Sequence, residues 1–248
     1  MTPDFTREKN WILREKYNNK PDKNFFNDVE RLKKGEPVDY IIGWKPFLNC
    51  KINLSKKPLI PRPETEYWTN QILKIIEKTS TIKIADIFAG SGCIGIAILK
   101  NTIRSKVDFI EMDKKLVRQI QTNLELNKIK SSRYKIIRSD IFSNVKNKYD
   151  LILANPPYIS PKRSRKIQKE VLKYEPHLAL FAGESGLDII TEFLDTARFH
   201  LNKNGQIWME FDSFQKNKIE KILKSSGYKN WSFHKDQFNR WRYVVIMY

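Results

Sequence analysis

The sequence predicts an α/β fold built on one sheet of seven strands, and three observations support this prediction. Apolar runs of strand length alternate with amphipathic helical patterns over residues 82–248. A glycine-rich turn joins the first of these strands to a helix. The fourth strand, Tyr149–Ala154, passes directly into Asn155-Pro-Pro-Tyr158. Because open α/β sheets bind ligands at the carboxyl ends of their strands, these two turns define the predicted site.

Length and composition are those of one main domain with a small appendage. The chain has 248 residues, of which 40% are hydrophobic and 30% charged, which excludes a disordered protein. Its formal net charge of +18 has two interpretations. It indicates an acidic partner, such as nucleic acid, a ribonucleoprotein or an acidic protein, or it reflects a lysine-rich composition spread over a solvated surface.

Metal, disulfide and membrane functions are not indicated. The two cysteines, Cys50 and Cys93, and the three isolated histidines show no spacing typical of a zinc site or a disulfide framework. The first residues lack the apolar segment of a signal peptide, and no apolar run approaches membrane-spanning length. We therefore expect a cytoplasmic protein without metal or membrane contact.

The N-terminal part, residues 1–36, is predicted to be helical. Residues 4–18 have a weak helical periodicity. Residues 22–34 have a stronger one, which begins at the capping residue Asp22 and ends at Gly35. From the residues alone, this part either docks a partner or covers the main core.

Residues 37–57 are predicted to form a β-hairpin that links the helical part to the main domain, residues 58–248. The β pattern runs from Val38 to Leu54 and includes Tyr40-Ile-Ile42. A proline-rich loop, Pro58–Glu66, follows it and precedes an amphipathic helix. Arg62, Glu64 and Glu66 could cover a ligand there, or Thr65 and the glutamates could simply begin the helix.

The first strand of the main domain, Ile82–Phe88, leads into the turn Ala89-Gly-Ser-Gly92 and a helix. A strand, a glycine turn and a helix form the geometry that binds dinucleotides and nucleosides. Gly90 and Gly92 allow the backbone to approach a ligand closely. Asp86, at the strand end, can accept hydrogen bonds from that ligand.

Acidic residues follow the next two strands. Glu111 ends the strand Val107–Glu111, about 20 residues after the turn, where a carboxylate can bind both ribose hydroxyls. Asp113 is the alternative for this role. A helix over 114–127 and a third strand, Tyr134–Arg138, lead to Ser139-Asp140, where Asp140 would meet the adenine edge.

The turn Asn155-Pro-Pro-Tyr158 can hold a planar NH2 group. Two prolines fix two φ angles and favour an extended Asn155. The Asn155 amide and the Pro156 carbonyl would accept the two hydrogens, beside the Tyr158 ring. Such a clamp would orient the weakly nucleophilic nitrogen of an amide or exocyclic amine for methylation. The alternative is a proline-rich strand exit without chemical function.

Later segments complete the predicted sheet. A loop is expected over residues 175–183, helices over 187–201 and 215–225, and strands over 206–211, 231–234 and 243–248. The basic run at residues 162–169 either contacts an acidic partner or forms a solvated helix face.

From about Pro37 to the end, the chain resembles the release-factor glutamine methyltransferase family. The matching segments occur in the same order: Ile60-Pro-Arg-Pro-Glu-Thr-Glu66, Asp86 to Gly92, Glu111, Asn123, Ser139-Asp140, Asn155-Pro-Pro-Tyr158, Glu175-Pro176 and Gly186-Leu187. The strand count also resembles the class I methyltransferase (Rossmann-like) fold, a seven-stranded, mostly parallel sheet that a terminal antiparallel strand closes.

The resemblance implies that S-adenosylmethionine donates the methyl group. It also implies that the glutamine in the Gly-Gly-Gln loop of peptide-chain release factors accepts it at the side-chain amide nitrogen, N5. The implied cofactor contacts are Asp86, Phe88, Ala89, Gly90, Ser91, Gly92, Glu111, Asp140, Ile141 and Asn155. The implied catalytic residues are Asn155, Pro156 and Tyr158. With Pro157, Arg62 and Glu64, they are also the expected substrate contacts.

Three departures from the family pattern are visible. Phe88 and Ala89 replace the usual Gly-Thr at the start of the glycine turn, and Glu111 replaces the commoner aspartate. The N-terminal helical part, which docks the release factor in the family, is shorter than usual. These departures leave open how, and to which partner, the chain docks.

Three other functions are compatible with the residues. One is methylation of adenine N6 or another exocyclic amine in DNA or RNA, which the charge of +18 would suit but for which no separate recognition domain is visible. Another is glutamine methylation of a ribosomal protein. The third is a non-catalytic RNA- or ribosome-binding module, against which the complete clamp argues. We expect a monomer whose basic surface makes at most weak nucleic-acid or ribosome contacts.

Overall fold

The computed structural model describes residues 5–76 and 81–247. Its N-terminal part contains two helices, α1 (Thr6–Tyr17) and α2 (Lys23–Lys33), which confirm the two helix predictions; Asp4, the first residue of the range predicted for α1, lies outside the described residues. The Asp22 side chain caps α2 by accepting hydrogen bonds from the backbone N–H groups of Asn24 and Phe25. Ile12, Phe25, Leu32 and Ile41 form a small buried core between these helices and the segment that follows.

Residues 37–57 correct part of the hairpin prediction. Val38–Ile42 form a short helix, α3, and the hairpin consists of β1 (Trp44–Phe47) and β2 (Cys50–Asn53). The expectation that Tyr40-Ile-Ile42 is β structure was wrong because burial on two sides overrides β propensity. Ile41 packs into the N-terminal core, whereas Tyr40 packs into the main core and donates a hydrogen bond to the Pro58 carbonyl.

Helices and strands alternate through most of the main domain, as predicted. The elements are α4 (Pro63–Ile75), β3 (Lys83–Ile87), α5 (Cys93–Asn101), β4 (Lys106–Glu111), α6 (Lys114–Leu126), β5 (Tyr134–Arg138), β6 (Tyr149–Ala154), α7 (Lys169–Tyr174), α8 (Asp188–Ala197), β7 (Leu201–Glu210), α9 (Lys216–Ser225), β8 (Asn230–Lys235) and β9 (Trp241–Met247). Seven of these strands form one sheet in the order β5-β4-β3-β6-β7-β9-β8. Of these seven strands, β9 alone runs opposite to the other six, which confirms the class I methyltransferase fold.

The strand order changes direction between β3 and β6. From β3 the chain first adds β4 and β5 on one side and then crosses back to β6 on the other. Such a switch point leaves a crevice at the carboxyl ends of the strands. Ile87 and Ala154 pair at the ends of β3 and β6. Their successors, Phe88 and Asn155, therefore meet at the floor of this crevice.

Two cores cover the two faces of the sheet. One lies under α4, α5 and α6 and contains Trp68, Ile72 and Phe109; the other lies under α8 and α9 and contains Phe193 and Phe211. Burial on both faces explains why the central strands are continuous apolar runs. Within residues 5–76 and 81–247, no helix combines the length and apolar character needed to cross a membrane.

The start of β7 differs from its prediction. The helix expected over 187–201 ends at Ala197, and β7 begins at Leu201 instead of residue 206. The sequence Asn202-Lys-Asn-Gly205 is typical of a turn. Here it forms an irregular start to the strand, where Leu201 pairs with Tyr149 and the register shifts before Leu151.

Candidate active site

The glycine turn after β3 has left-handed backbone conformations at three positions. Phe88, Gly90 and Gly92 have φ angles of +58°, +56° and +77°. Phe88 is unusual in this conformation because it carries a bulky side chain. Its half-buried ring packs edge-on against Phe193, with the ring centroids 5.8 Å apart. This packing stabilises Phe88 in a backbone conformation that is otherwise unfavourable.

Glu111 lies at the end of β4 beside this turn. One of its carboxylate oxygens accepts a hydrogen bond from Gly90 N at 2.8 Å, and the other accepts one from Asp113 N at 2.9 Å. Each oxygen retains a lone pair that can accept from a ligand hydroxyl. Burial raises the pKa of Glu111. The alternative residue, Asp113, instead caps α6 by accepting from Lys115 N, although it too lines the cavity.

Asp86 lies behind the glycine turn and does not line the cavity. Its side chain is fully buried, and Oδ2 accepts a hydrogen bond from Gly95 N at 2.9 Å. Among the described residues, Oδ1 has no hydrogen-bond partner. Burial raises the pKa of this carboxyl to about 8. Asp86 therefore holds the first turn of α5, directly after the glycine turn, and Gly92 is likewise outside the lining.

The end of β5 provides another wall of the cavity. Asp140 is exposed at its rim, and Ile141 is buried beside it with a φ of +43°. Ser139 N donates to the Glu111 carbonyl at 3.1 Å, which ties the ends of β4 and β5 together. The walls thus combine an exposed carboxylate with apolar side chains, a suitable surface for a nucleoside base.

Only part of the predicted clamp faces the cavity. Asn155 and Pro157 line it, whereas Pro156 is buried beneath it and Tyr158 packs partly into the core under α8 and α9. The Tyr158 carbonyl accepts a hydrogen bond from Gln215 Nε2 at 2.9 Å. Burial raises the pKa of the Tyr158 phenol, so its ring stays neutral.

The proline-rich loop before α4 closes the cavity from the other side. Arg62 lines the cavity and donates to Glu175 Oε1 at 2.6 Å, and Ile60 N donates to Glu175 Oε2 at 3.1 Å. Glu175 is buried, and through these two hydrogen bonds it joins the loop to the segment after the clamp. Glu64 does not line the cavity, and Glu66 accepts from Leu48 N of the hairpin.

Sequence reasoning missed two residues next to Asn155. Asn155 Nδ2 donates to Thr65 Oγ1 at 3.3 Å, and Thr65 Oγ1 donates to Glu210 Oε2 at 2.7 Å. The position of Glu210 could have been predicted, since it is a carboxylate at the end of a buried apolar strand, as Glu111 is. The involvement of Thr65 could not, because it depends on how α4 packs over the sheet.

The resulting cavity has a volume of about 290 Å³. Its lining combines strand ends, the glycine turn, the proline-rich loop and the segment after the clamp; it includes Ile60, Arg62, Thr65, Phe88, Ala89, Gly90, Ser91, Glu111, Asp140, Ile141, Asn155, Pro157, Leu178 and Phe181. Glu111 can bind ribose hydroxyls and Asn155 a planar amide. Over residues 5–76 and 81–247, no cluster of three or more His, Cys, Asp or Glu side chains is arranged to hold a metal ion.

The basic run is divided between two elements. Pro161–Lys166 form a 3-10 helix, and Lys169 begins α7, so the run does not form one helix face. Lys162, Arg165 and Lys169 are exposed, while the Arg163 guanidinium stacks on the Phe214 ring. Most of this charge is available to solvent.

Comparison with known proteins identifies methyltransferases. The family model described as "Methyltransferase small domain" matches residues 64–179. A protein of Lactococcus lactis named release factor glutamine methyltransferase is 34% identical over 236 residues, which is 95% of this chain and 86% of that protein. A protein of the same name from Thermodesulfovibrio yellowstonii is 37% identical over 204 residues, which is 81% of this chain and 72% of that protein.

The fold is also shared with solved structures. A 16S rRNA N2 G1207 methyltransferase of T. thermophilus, in complex with AdoMet and guanosine, superposes with a TM-score of 0.61 at 16% identity. The match covers 82% of this chain and 49% of that chain. At this identity the likeness concerns the fold alone.

Proposed function

Because the chain belongs to the release factor glutamine methyltransferase family, we propose that it transfers a methyl group from S-adenosylmethionine to a glutamine of a peptide-chain release factor. The acceptor would be the side-chain amide nitrogen, N5, of the glutamine in the Gly-Gly-Gln loop. The single observation that carries this proposal is that Asn155 and Glu111 line one cavity at the switch point of the sheet.

The residues of the cavity fit the cofactor. Gly90 leaves its side of the wall open, since an added Cβ would meet no atom closer than 3.8 Å. The Glu111 carboxylate would accept hydrogen bonds from the ribose hydroxyls, and Ile141 and Asp140 would contact the adenine. Phe88, Ala89 and Ser91 would contact the remainder. When bound, S-adenosylmethionine supplies an electrophilic methyl group.

The chain's own contribution is to orient the acceptor. Asn155 Oδ1 would accept one N–H of the glutamine amide, which raises the electron density on the amide nitrogen and directs its lone pair toward the methyl carbon. As the N–C bond forms, the bond between the methyl carbon and the cofactor sulfur would break. The nitrogen would then release its proton to solvent, so no strong base is required. The neutral Tyr158 is compatible with this route, since it is not needed as a base.

Pro156 and Tyr158 belong to the proposal as a second acceptor and an aromatic wall. Both follow Asn155 in the chain, but neither lines the cavity. Arg62, Glu64 and Pro157 are proposed contacts for the Gly-Gly-Gln loop.

Docking of the release factor is proposed to involve the helical part formed by α1 and α2, together with the basic run at residues 162–169. We further propose that the protein acts as a monomer in the cytoplasm. The charge of +18 supports an acidic partner.

A labelling experiment tests the acceptor. Purified protein and radiolabelled S-adenosylmethionine are incubated with a release factor, the same factor with its loop glutamine changed to alanine, duplex DNA and ribosomal RNA. We expect label on the intact factor alone. Label on nucleic acid would overturn the proposal in favour of an exocyclic-amine acceptor, and equal label on both forms of the factor would place the methyl group elsewhere.

A further inference from the structure

Glu210 ends β7 at the same edge of the sheet as Asn155. Ala154 and Met209 pair at the ends of β6 and β7, so Asn155 and Glu210 are the next residues on adjacent parallel strands. Glu210 is 1% exposed and does not line the cavity. It therefore lies beside Asn155, the proposed partner of the substrate amide, but outside the lining of the cavity.

Two donors converge on one oxygen of Glu210. Trp68 Nε1 and Thr65 Oγ1 both lie 2.7 Å from Glu210 Oε2. An indole N–H can only donate, so its contact marks this oxygen as an acceptor. Thr65 has a single hydroxyl proton, and that proton is directed at Glu210.

The polarity of this contact determines the orientation of Asn155. Because the Thr65 proton points to Glu210, the lone pairs of Thr65 Oγ1 face Asn155 and require a donor. The Asn155 atom 3.3 Å from Thr65 Oγ1 is indeed the amide nitrogen, Nδ2. Oδ1 is consequently on the opposite side of the amide, turned away from Thr65.

We propose that Thr65 and Glu210 are positioning residues that keep Asn155 Oδ1, rather than its NH2 group, turned toward the methyl acceptor. This inference rests on the proposed function, since an amide or amine acceptor presents N–H groups and requires an oxygen opposite it. With the Asn155 amide rotated by 180°, two NH2 groups would face each other, and the acceptor nitrogen would not be oriented. Glu210 lies outside the cavity lining, and Thr65 would act on the acceptor through the Asn155 amide.

Variants of Thr65 separate the hydroxyl from packing. Thr65→Val has nearly the same shape but cannot relay the hydrogen bond, so we expect the single-turnover rate of methyl transfer to fall at least tenfold. The dissociation constant for S-adenosylmethionine should stay within threefold. Thr65→Ser restores the hydroxyl and should recover most of the rate.

The matched control is Thr69→Val. Thr69 lies one turn later on α4, is fully buried, and donates its hydroxyl to the Thr65 carbonyl rather than to Glu210. The Thr69→Val variant should transfer the methyl group at the rate of the unmodified protein. Equal losses in Thr65→Val and Thr69→Val, or no rescue by Thr65→Ser, would overturn the positioning role.

Neutron diffraction from deuterium-exchanged crystals of the full chain tests the orientation without any substrate. We expect the Thr65 deuteron to point at Glu210 Oε2 and an Asn155 deuteron to point at Thr65. The reverse arrangement would overturn the inference even if the release factor is methylated. If the release factor is not methylated but the deuterons lie as expected, the proposed acceptor fails and the orientation of Asn155 stands.

Discussion

The carboxylate of Glu111 accepts a hydrogen bond from the backbone N–H of Gly90 at 2.8 Å, which joins the end of β4 to the glycine turn after β3. The same side chain also accepts a hydrogen bond from the backbone N–H of Asp113. The proposed ribose acceptor and the turn that approaches the cofactor are therefore one hydrogen-bonded unit. A change at Glu111 should disturb both.

Replacing Glu111 by alanine should weaken binding of S-adenosylmethionine roughly 10- to 100-fold, because charged hydrogen bonds to the ribose and support for the turn are lost together. Isothermal titration calorimetry measures the affinity. The control is Asp113→Ala, which removes the cap of α6 and should cost about 1 kcal/mol of stability while changing the affinity less than threefold. Unchanged affinity in Glu111→Ala would transfer the ribose role to Asp113.

Replacing Asn155 by alanine should reduce methyl transfer roughly 100-fold or more, since the oxygen that orients the acceptor nitrogen is removed. Binding of S-adenosylmethionine should be largely retained because Glu111 and the glycine turn are unaltered. Single-turnover transfer to the release factor and calorimetric cofactor binding separate these effects. Normal turnover by this variant would exclude Asn155 from catalysis.

The positions of the strand ends could be predicted from sequence, and with them the convergence of the glycine turn, Glu111, Asp140 and Asn155. The directions of individual side chains could not. Asp86 lies behind the turn and Tyr158 packs partly into a core, because each direction depends on backbone angles that apolar patterns do not encode. Phe88 and Ile141, both at positive φ, illustrate this limit.

Contacts between distant segments were also beyond the sequence. Thr65 and Glu210 are 145 residues apart, and Glu175 lies 113 residues from Arg62. Both contacts arise because α4 and the loop before it pack across the carboxyl edge of the sheet. The same tertiary burial explains why the β prediction for Tyr40-Ile-Ile42 was wrong. Neighbouring residues of this short helix pack into two different cores, Tyr40 into the main core and Ile41 into the N-terminal core.

The buried carboxyl of Asp86 should make stability depend on pH. Its pKa rises from 3.8 to about 8 on folding, so the folded state holds this proton more tightly than the unfolded state. The contribution to stability is therefore fully present below about pH 4 and is lost as the pH rises toward 8.

Asp86→Asn removes this titration while its side-chain oxygen can still accept from Gly95 N. We expect the stability of the variant relative to the unmodified protein to increase by at least about 1 kcal/mol between pH 5 and pH 8, since each pKa unit corresponds to about 1.4 kcal/mol. Urea unfolding at both pH values measures this difference. Parallel pH profiles of the two proteins would show that Asp86 titrates at its ordinary pKa.

The ion pair between Arg62 and Glu175 should be worth more than the exposed pair between Lys162 and Glu184. The Glu175 side chain is 1% exposed and also accepts from Ile60 N, whereas Lys162 and Glu184 are 76% and 91% exposed and lie 3.6 Å apart. Replacing Glu175 by alanine leaves a buried N–H without its acceptor and frees one wall of the cavity. We expect a loss of roughly 1–3 kcal/mol in the free energy of unfolding and weaker binding of S-adenosylmethionine.

Glu184→Ala serves as the matched control, because an exposed ion pair contributes about 0–1 kcal/mol. Urea denaturation and calorimetry on both variants provide the comparison. If the two substitutions cost the same, Glu175 does not hold the proline-rich loop against the segment after the clamp. If Glu175→Ala loses stability but binds the cofactor normally, the two segments are joined without shaping the cofactor's side of the cavity.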